Sequence, residues 1–261
     1  VIARVGHELR LALIALQFLT RIPVPARVGY QDAWLHASAR HFPLVGTVVG
    51  AIGAGVLLAV SLAWPWPVAA MLSMIATLIA TGAFHEDGLA DTFDALGGAV
   101  SRERALIIMK DSRLGTYGTV ALVAVLALKA AALISLAAEA AVALVLAHTA
   151  SRALPVLLIR VLPYAGDAES AKAKPLAQRV SRAGVVVACA WVVAVALLLV
   201  AAGALPAPRV ALALAAAGAV AWAMARWLRR RLQGFTGDTL GAAQQLGEVT
   251  IYLALCAHAV A

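Results

Sequence analysis

The sequence predicts an all-α protein embedded in a membrane, a polytopic bundle of about six to seven transmembrane helices with an N-terminal interfacial or re-entrant helix. Three observations lead there. Charged residues make up only 13% of the chain and hydrophobic residues 63%, where a soluble domain carries roughly 25% charged residues. The mean hydropathy of +0.92 means more apolar surface than a water-soluble core of this size can hide, so lipid must solvate it. Runs of about 20 mostly apolar residues, the length that crosses a bilayer, recur along the whole chain.

The elements follow in order. Residues 8–20 are too few to span comfortably and suit an interfacial or re-entrant helix. Arginines flank the apolar stretch 11–19 and no small-residue cleavage site follows it, so it does not read as a removed signal peptide. Apolar runs then occupy 44–63, 67–84, 117–135, 140–162, 184–204, 209–228 and 246–261. Trp64-Pro65-Trp66-Pro67 separates the first two, and Ala204-Leu205-Pro206-Ala207-Pro208 the fifth and sixth, as tight turns between antiparallel neighbours. The last run is short and contains Glu248 and His258, which makes it the least regular span.

Orientation comes from lysine and arginine. The tight turns at 64–67, 136–139 and 205–208 contain none. The other connections hold Arg102, Arg104, Lys110 and Arg113, then Lys172, Lys174, Arg179 and Arg182, then Arg226, Arg229, Arg230 and Arg231. This alternation places the N-terminal segment and the three long polar loops in the cytoplasm. The net charge of +8 is therefore an orientation signal, and nucleic acid is not an expected partner. Cys189 and Cys256, each isolated in an apolar run, form neither a disulfide framework nor a metal site.

Three polar segments on the cytoplasmic side could carry chemistry. In His85-Glu86-Asp87-Gly88-Leu89-Ala90-Asp91-Thr92-Phe93-Asp94, helical spacing puts Asp87, Asp91 and Asp94 on one face. Carboxylates crowded in a partly dry setting either take up protons or hold a cation. Oxygen ligands favour a hard ion such as Mg²⁺, which takes substrate phosphates as further ligands. Gly88 leaves room for something bulky to approach. A solvated acidic helix cap is the plainer alternative, although three carboxylates in register exceed what capping requires. His85 and Glu86 could equally support the site or face water.

The second segment, Met109-Lys110-Asp111-Ser112-Arg113-Leu114-Gly115-Thr116-Tyr117-Gly118, combines cations with backbone N–H groups freed by glycine, as a phosphate needs. A juxtamembrane anchor would account for the charges but not for the glycine pair. The third runs from Gly234-Phe235-Thr236-Gly237-Asp238 to Glu248, where the glutamate needs a metal or a basic partner; Thr236 and Asp238 also read as a simple cap. Inside the spans, Lys129 can snorkel or pair with a carboxylate. Arg152, beside His148, must face the bundle interior, either to meet an anionic substrate or to pair with Glu139 or an aspartate.

At these segments the chain resembles the cobalamin synthase family of adenosylcobinamide-GDP ribazoletransferases. The matching blocks are Phe18-Leu19-Thr20-Arg21-Ile22-Pro23-Val24-Pro25, Phe42-Pro43-Leu44-Val45-Gly46, the run from Thr81 to Asp94, the run from Met109 to Gly118, and Thr236-Gly237-Asp238-Thr239-Leu240-Gly241-Ala242. They occur in the family's order and span nearly the whole chain, which reads as one transmembrane catalytic domain over 1–261. Ala83 stands where the family often has a second glycine, and Glu86 occupies a variable position.

The resemblance implies the last assembly step of the cobalamin nucleotide loop, at the bacterial inner membrane with active-site loops facing the cytoplasm. Adenosylcobinamide-GDP is joined to α-ribazole, or its 5′-phosphate, with loss of GMP and a requirement for Mg²⁺. On that footing Glu86, Asp87, Asp91 and Asp94 are the expected metal ligands. Asp94 leads as the catalytic base, with Asp91, Lys110 and Arg113 also catalytic. Lys110, Asp111, Ser112, Arg113, Gly115, Asp238 and His85 are expected to bind substrate, and Asp238 and Glu248 to complete a metal or substrate shell. A homo-oligomer, or association with other cobalamin-assembly enzymes, is compatible with this reading. The pattern Asp-Gly-x-x-Ala-Asp-x-x-Asp is also similar to that of the CDP-alcohol phosphotransferases, so a lipid-type phosphotransferase is the alternative. A transporter is the less favoured one, because it would distribute charges along the spans.

Overall fold

The computed structural model describes residues 2–29, 31–166 and 177–257, which are helical with no strand; a bridge joins Tyr164 to Phe235. Helix α1 (Ile2–Leu19) lies against α2 (Asp32–Ser38), its Leu11 and Ile14 packed on Val28 and Leu35. Glu8 of α1 accepts hydrogen bonds from Arg40 (3.1 Å) and His41 (2.9 Å), which ties it to the entry of α3 (Phe42–Ser61). Further along α1, Ala15 and Leu19 join the main core.

The apolar run 67–84 departs from a simple span. Helix α4 (Trp66–Thr81) ends after 16 residues, and α5 (Phe84–Leu96) leaves it at 88°. The break sits at Gly82 (φ 66°) and Ala83 (φ 56°), both left-handed. Glycine adopts that conformation freely, whereas an alanine Cβ there costs about 1–2 kcal/mol. Ala83→Gly is therefore expected to stabilise the protein by about 1 kcal/mol, read as a higher unfolding midpoint in detergent. An unchanged or lower midpoint would count against the left-handed turn.

Helices α6 (Arg102–Ile108), α7 (Thr116–Leu136), α8 (Ala140–Ser151) and α9 (Ala153–Val161) follow. The chain folds back between α7 and α8. Lys129 and His148, 19 positions apart and so about 28 Å apart on a straight helix, both reach the carboxylate of Glu248. Pro155 cannot donate to the preceding turn, which accounts for the interruption at Arg152 within the run 140–162. Then come α10 (Arg182–Ala201), capped by Ser181, and α11 (Ala207–Arg231). Last is α12 (Gly237–Cys256), entered through a reciprocal cap between Thr236 and Thr239.

By length and composition, four stretches of the described residues can cross a membrane: Asp32–Ser61, Thr116–Val161, Arg182–Ala201 and Ala207–Arg231. The bent pair α4–α5 would make a fifth. The expected six to seven exceed this because α4 stops short, the α7–α9 stretch counts once although it folds back, and α12 is too polar. Helix α12 also begins well before the expected run at 246. It lies at the centre of the bundle against α5, α7, α8, α9 and α11, with Gln244, Gln245 and Glu248 buried. His258, Lys172 and Lys174 lie outside the described residues.

Candidate active site

Helix α5 forms one wall of a cavity of about 710 Å³. Glu86, Asp87 and Asp91 line it, joined by Ser112 from the α6–α7 loop and by Arg21 from the segment after α1. The right-angled turn at Gly82–Ala83 makes this possible, because it swings the acidic helix out of line with α4. Arg21 is held there by its backbone N–H, which donates to Ala80 O at 2.8 Å, and its side chain packs directly against Gly82, where a Cβ would collide with it. Sequence alone marks Arg21 only as one of the arginines that precede the first span. Its place in the Thr20-Arg21-Ile22-Pro23 block was a signal, but only the fold joins that block to α5.

Asp94 does not reach this wall. Its carboxylate accepts from the backbone N–H groups of Gly115 (2.7 Å) and Gly118 (2.8 Å) at the start of α7. A Cβ on either glycine would collide with the Asp94 carboxylate. The glycine pair thus serves Asp94 in place of a substrate phosphate, and Asp94 locks the α6–α7 loop to α5. Two of the four N–H groups that a helix start leaves unpaired are satisfied in this way.

Gly88 also has an occupant other than substrate. A Cβ there would stand 2.7 Å from Asp238 O and 3.0 Å from Asp238 Cα. The bulky group approaching Gly88 is therefore the backbone of α12, and Asp238 sits half-buried at this crossing, off the cavity wall. His85 is 3% exposed and faces the interior, edge-on to the Phe84 ring. In the α6–α7 loop Arg113 donates to both oxygens of Asp111 (3.0 and 3.1 Å from Nε, 2.5 Å from Nη2). These bonds hold the Asp111 carboxyl down at about 2. Lys110 is exposed on the same loop.

Glu248 lies far inside, in a buried network. Its carboxylate receives Lys129 Nζ at 2.7 Å, Gln244 Nε2 at 2.7 Å and the Tyr252 hydroxyl at 3.3 Å. Lys129 also donates to Gln245 Oε1 (2.9 Å), and Gln245 Nε2 donates to Glu86 Oε1 (2.8 Å). Arg152, 1% exposed, donates to the ring and carbonyl of His148 at 3.1 Å each, and Glu139 pairs with Arg209 instead. The partner Glu248 required is thus a lysine from within the bundle, and Arg152 is held internally. Glu248 belongs to the packing that supports α5, apart from any shell shared with Asp238.

The family model for cobalamin-5-phosphate synthase matches residues 11–256. The chain belongs to the cobalamin-5-phosphate synthase family. An adenosylcobinamide-GDP ribazoletransferase of Leptothrix cholodnii is 59% identical, with 95% of each chain covered. Proteins of the same name from Albidiferax ferrireducens and Shewanella amazonensis are each 46% identical, covering 93% and 96%, and 95% and 95%, of this chain and of theirs. No solved structure matches.

In this cobalamin-5-phosphate synthase family member the four-carboxylate Mg²⁺ set read from the sequence is divided. Among the described residues no three side chains of His, Cys, Asp and Glu converge as a metal cage. Asp94 is engaged by α7, and Glu86 is tied inward to Gln245. On the cavity wall Glu86 still stands beside Asp87 and Asp91, and the two aspartates form an oxygen pair there. Mg²⁺ is commonly held by one or two carboxylates with water and substrate phosphates, and this pair fits that pattern.

Proposed function

We propose that this family member joins adenosylcobinamide-GDP to α-ribazole, or to its 5′-phosphate, and releases GMP. The observation that carries the reading is the cavity itself, where Asp87 and Asp91 share a wall with Arg21 and Ser112. Carboxylates beside a guanidinium suit a substrate that brings both a phosphate and a hydroxyl to be deprotonated.

The ribose hydroxyl of ribazole attacks the phosphorus that carries cobinamide. A new P–O bond forms as the bond to the GMP phosphate oxygen breaks, and GMP departs with that electron pair. The hydroxyl proton passes to one of the α5 carboxylates, Asp87 or Asp91. Arg21 orients the pyrophosphate, and Ser112 supplies a hydroxyl at the loop side. Asp87 and Asp91 would also hold Mg²⁺, which when bound neutralises charge on the pyrophosphate. Asp94 and the Gln245–Glu86 contact position α5 and the loop. The arginine-bearing loops support a cavity facing the cytoplasm at a bacterial inner membrane, where soluble nucleotide substrates are available. Association with itself or with other enzymes of the same assembly belongs to this proposal.

The test is GMP release by the purified protein in detergent or liposomes. Release is expected only when adenosylcobinamide-GDP and α-ribazole are both present with Mg²⁺. Turnover of CDP-diacylglycerol in their place would move the chain to the lipid phosphotransferases, and flux without covalent product to the transporters.

The Asp111–Arg113 pair adds a prediction. Its loop also brings Ser112 and Leu114 to the cavity, so an arriving phosphate can exchange with Asp111 as the partner of Arg113. Arg113→Glu is expected to raise the apparent KM for the nucleotide substrate about tenfold with a smaller change in kcat. An unchanged KM would remove Arg113 from substrate binding.

A further inference from the structure

A second groove, of about 510 Å³, lies between α9 and α11 and shares no residue with the cavity on α5. Its size falls within the roughly 300–1,000 Å³ usual for small-molecule sites. Leu157 and Val161 of α9 and Trp222 of α11 form its apolar walls, and Arg226, Arg229 and Arg230 line it toward the end of α11. Trp222, Arg226 and Arg229 or Arg230 recur at four, seven and eight residues, so they share one helix face. Trp222 is 68% exposed and the three arginines are exposed beside it.

The groove thus changes from apolar to strongly basic along its length. The basic end is located by the adjoining Arg231, which donates to Leu96 O (3.0 Å) and Gly98 O (2.8 Å) where α5 ends. It is therefore the end of the bundle that also carries the α5–α6 loop. Tryptophan followed by arginine is the order in which side chains meet acyl chains and then headgroups at a membrane interface. Arg229 makes one long bond of 3.4 Å to Val161 O, and Arg226 lies 6.0 Å above the Trp222 ring. Neither engages a carboxylate among the described residues.

We propose that this groove binds an anionic phospholipid, with an acyl chain along Leu157, Val161 and Trp222 and the phosphate against Arg226, Arg229 and Arg230. Charge complementarity selects this occupant. A free phosphate would leave the apolar walls uncovered, and a zwitterionic lipid would bring its own cation against three guanidinium groups. Each basic side chain near an anionic surface is worth roughly fivefold in affinity, so three predict a preference on the order of a hundredfold.

The test uses the full chain in micelles with equal amounts of phosphatidylglycerol and phosphatidylcholine of matched acyl chains. Retained lipid is counted by native mass spectrometry, and folding is checked by circular dichroism. The expected result is strong enrichment of phosphatidylglycerol. It should be lost in Arg226→Gln/Arg229→Gln/Arg230→Gln and largely kept in the corresponding triple lysine variant. Gly218→Leu, which narrows the groove, should lower retention of both lipids. Equal retention of the two lipids by the unaltered chain would overturn the proposal. So would a preference that survives the triple glutamine change, displacement by inorganic phosphate alone, or a second copy of the chain found in the groove. Should the glutamine variant fail to fold, the unaltered chain, its phosphate competition and the lysine variant decide the matter.

Discussion

Asparagine at Asp87 or at Asp91 is expected to lower GMP release by about 10²–10⁴-fold, the range typical of losing a positioned acid–base group, with little loss of stability. Both side chains line the cavity, and asparagine keeps their size while removing the proton acceptor and the anionic metal ligand. Asp94→Asn is expected to behave in the opposite way. The Asp94 carboxylate accepts two backbone N–H bonds, from Gly115 and Gly118, and hydrogen bonds to a charged group contribute about 1.5–3 kcal/mol. An amide keeps one accepting oxygen and turns an NH₂ toward a donor. The unfolding midpoint should therefore fall clearly, while activity at low temperature falls less than in the Asp91 variant. Assaying all three in one detergent separates the alternatives. An inactive Asp94→Asn of full stability would return Asp94 to the chemistry as the base. Full activity in both cavity variants would remove the cavity from it.

This contrast shows what the sequence could disclose. Apolar runs and the placement of arginine made the membrane bundle legible, because both follow from composition over 20-residue windows. The acidic helix was legible as well, since three aspartates on one face are conspicuous beside apolar spans. Their division of labour was not. Helical spacing places Asp87, Asp91 and Asp94 together, but the neighbours on that face come from distant segments. The start of α7 takes Asp94, and the cavity takes the other two. Gly88 signals a close approach, and the glycines at 115 and 118 signal backbone N–H groups offered to an anion, yet a sequence cannot say what approaches or which anion accepts. At Gly88 it is the α12 backbone, and at Gly115 it is Asp94. Arg21 was hidden for the same reason, because its role depends on a turn some sixty positions away. The start of α12 is hidden from a hydropathy scan because its Gln244, Gln245 and Glu248 depress the hydropathy that marks a span, although their partners lie inside the bundle.

Lys129→Met is expected to destabilise the protein by about 3–5 kcal/mol, the cost of leaving one member of a buried ion pair without its partner. Lys129 and Glu248 are 5% and 1% exposed, with 2.7 Å between Nζ and Oε1. Without the lysine, the hydrogen-bond donors left to Glu248 among the described residues are Gln244 and Tyr252, because the His148 Nδ1 at 3.4 Å accepts from Arg152. Lys129→Met/Glu248→Gln should recover most of the loss, because it removes both charges and leaves a group that Gln244 and Tyr252 can still satisfy. A chemical unfolding series in detergent measures all of this. Wild-type stability in the single variant would mean that the pair contributes nothing. The effect should also reach the active cavity. Lys129 holds Gln245, and Gln245 holds Glu86 at the base of α5, so loosening the pair releases the helix that carries Asp87 and Asp91. In the folded fraction of Lys129→Met, kcat should therefore fall more than KM rises, as expected for a residue that positions the reacting groups without touching substrate. The double variant should restore kcat only partly, since the Lys129–Gln245 bond is lost in both.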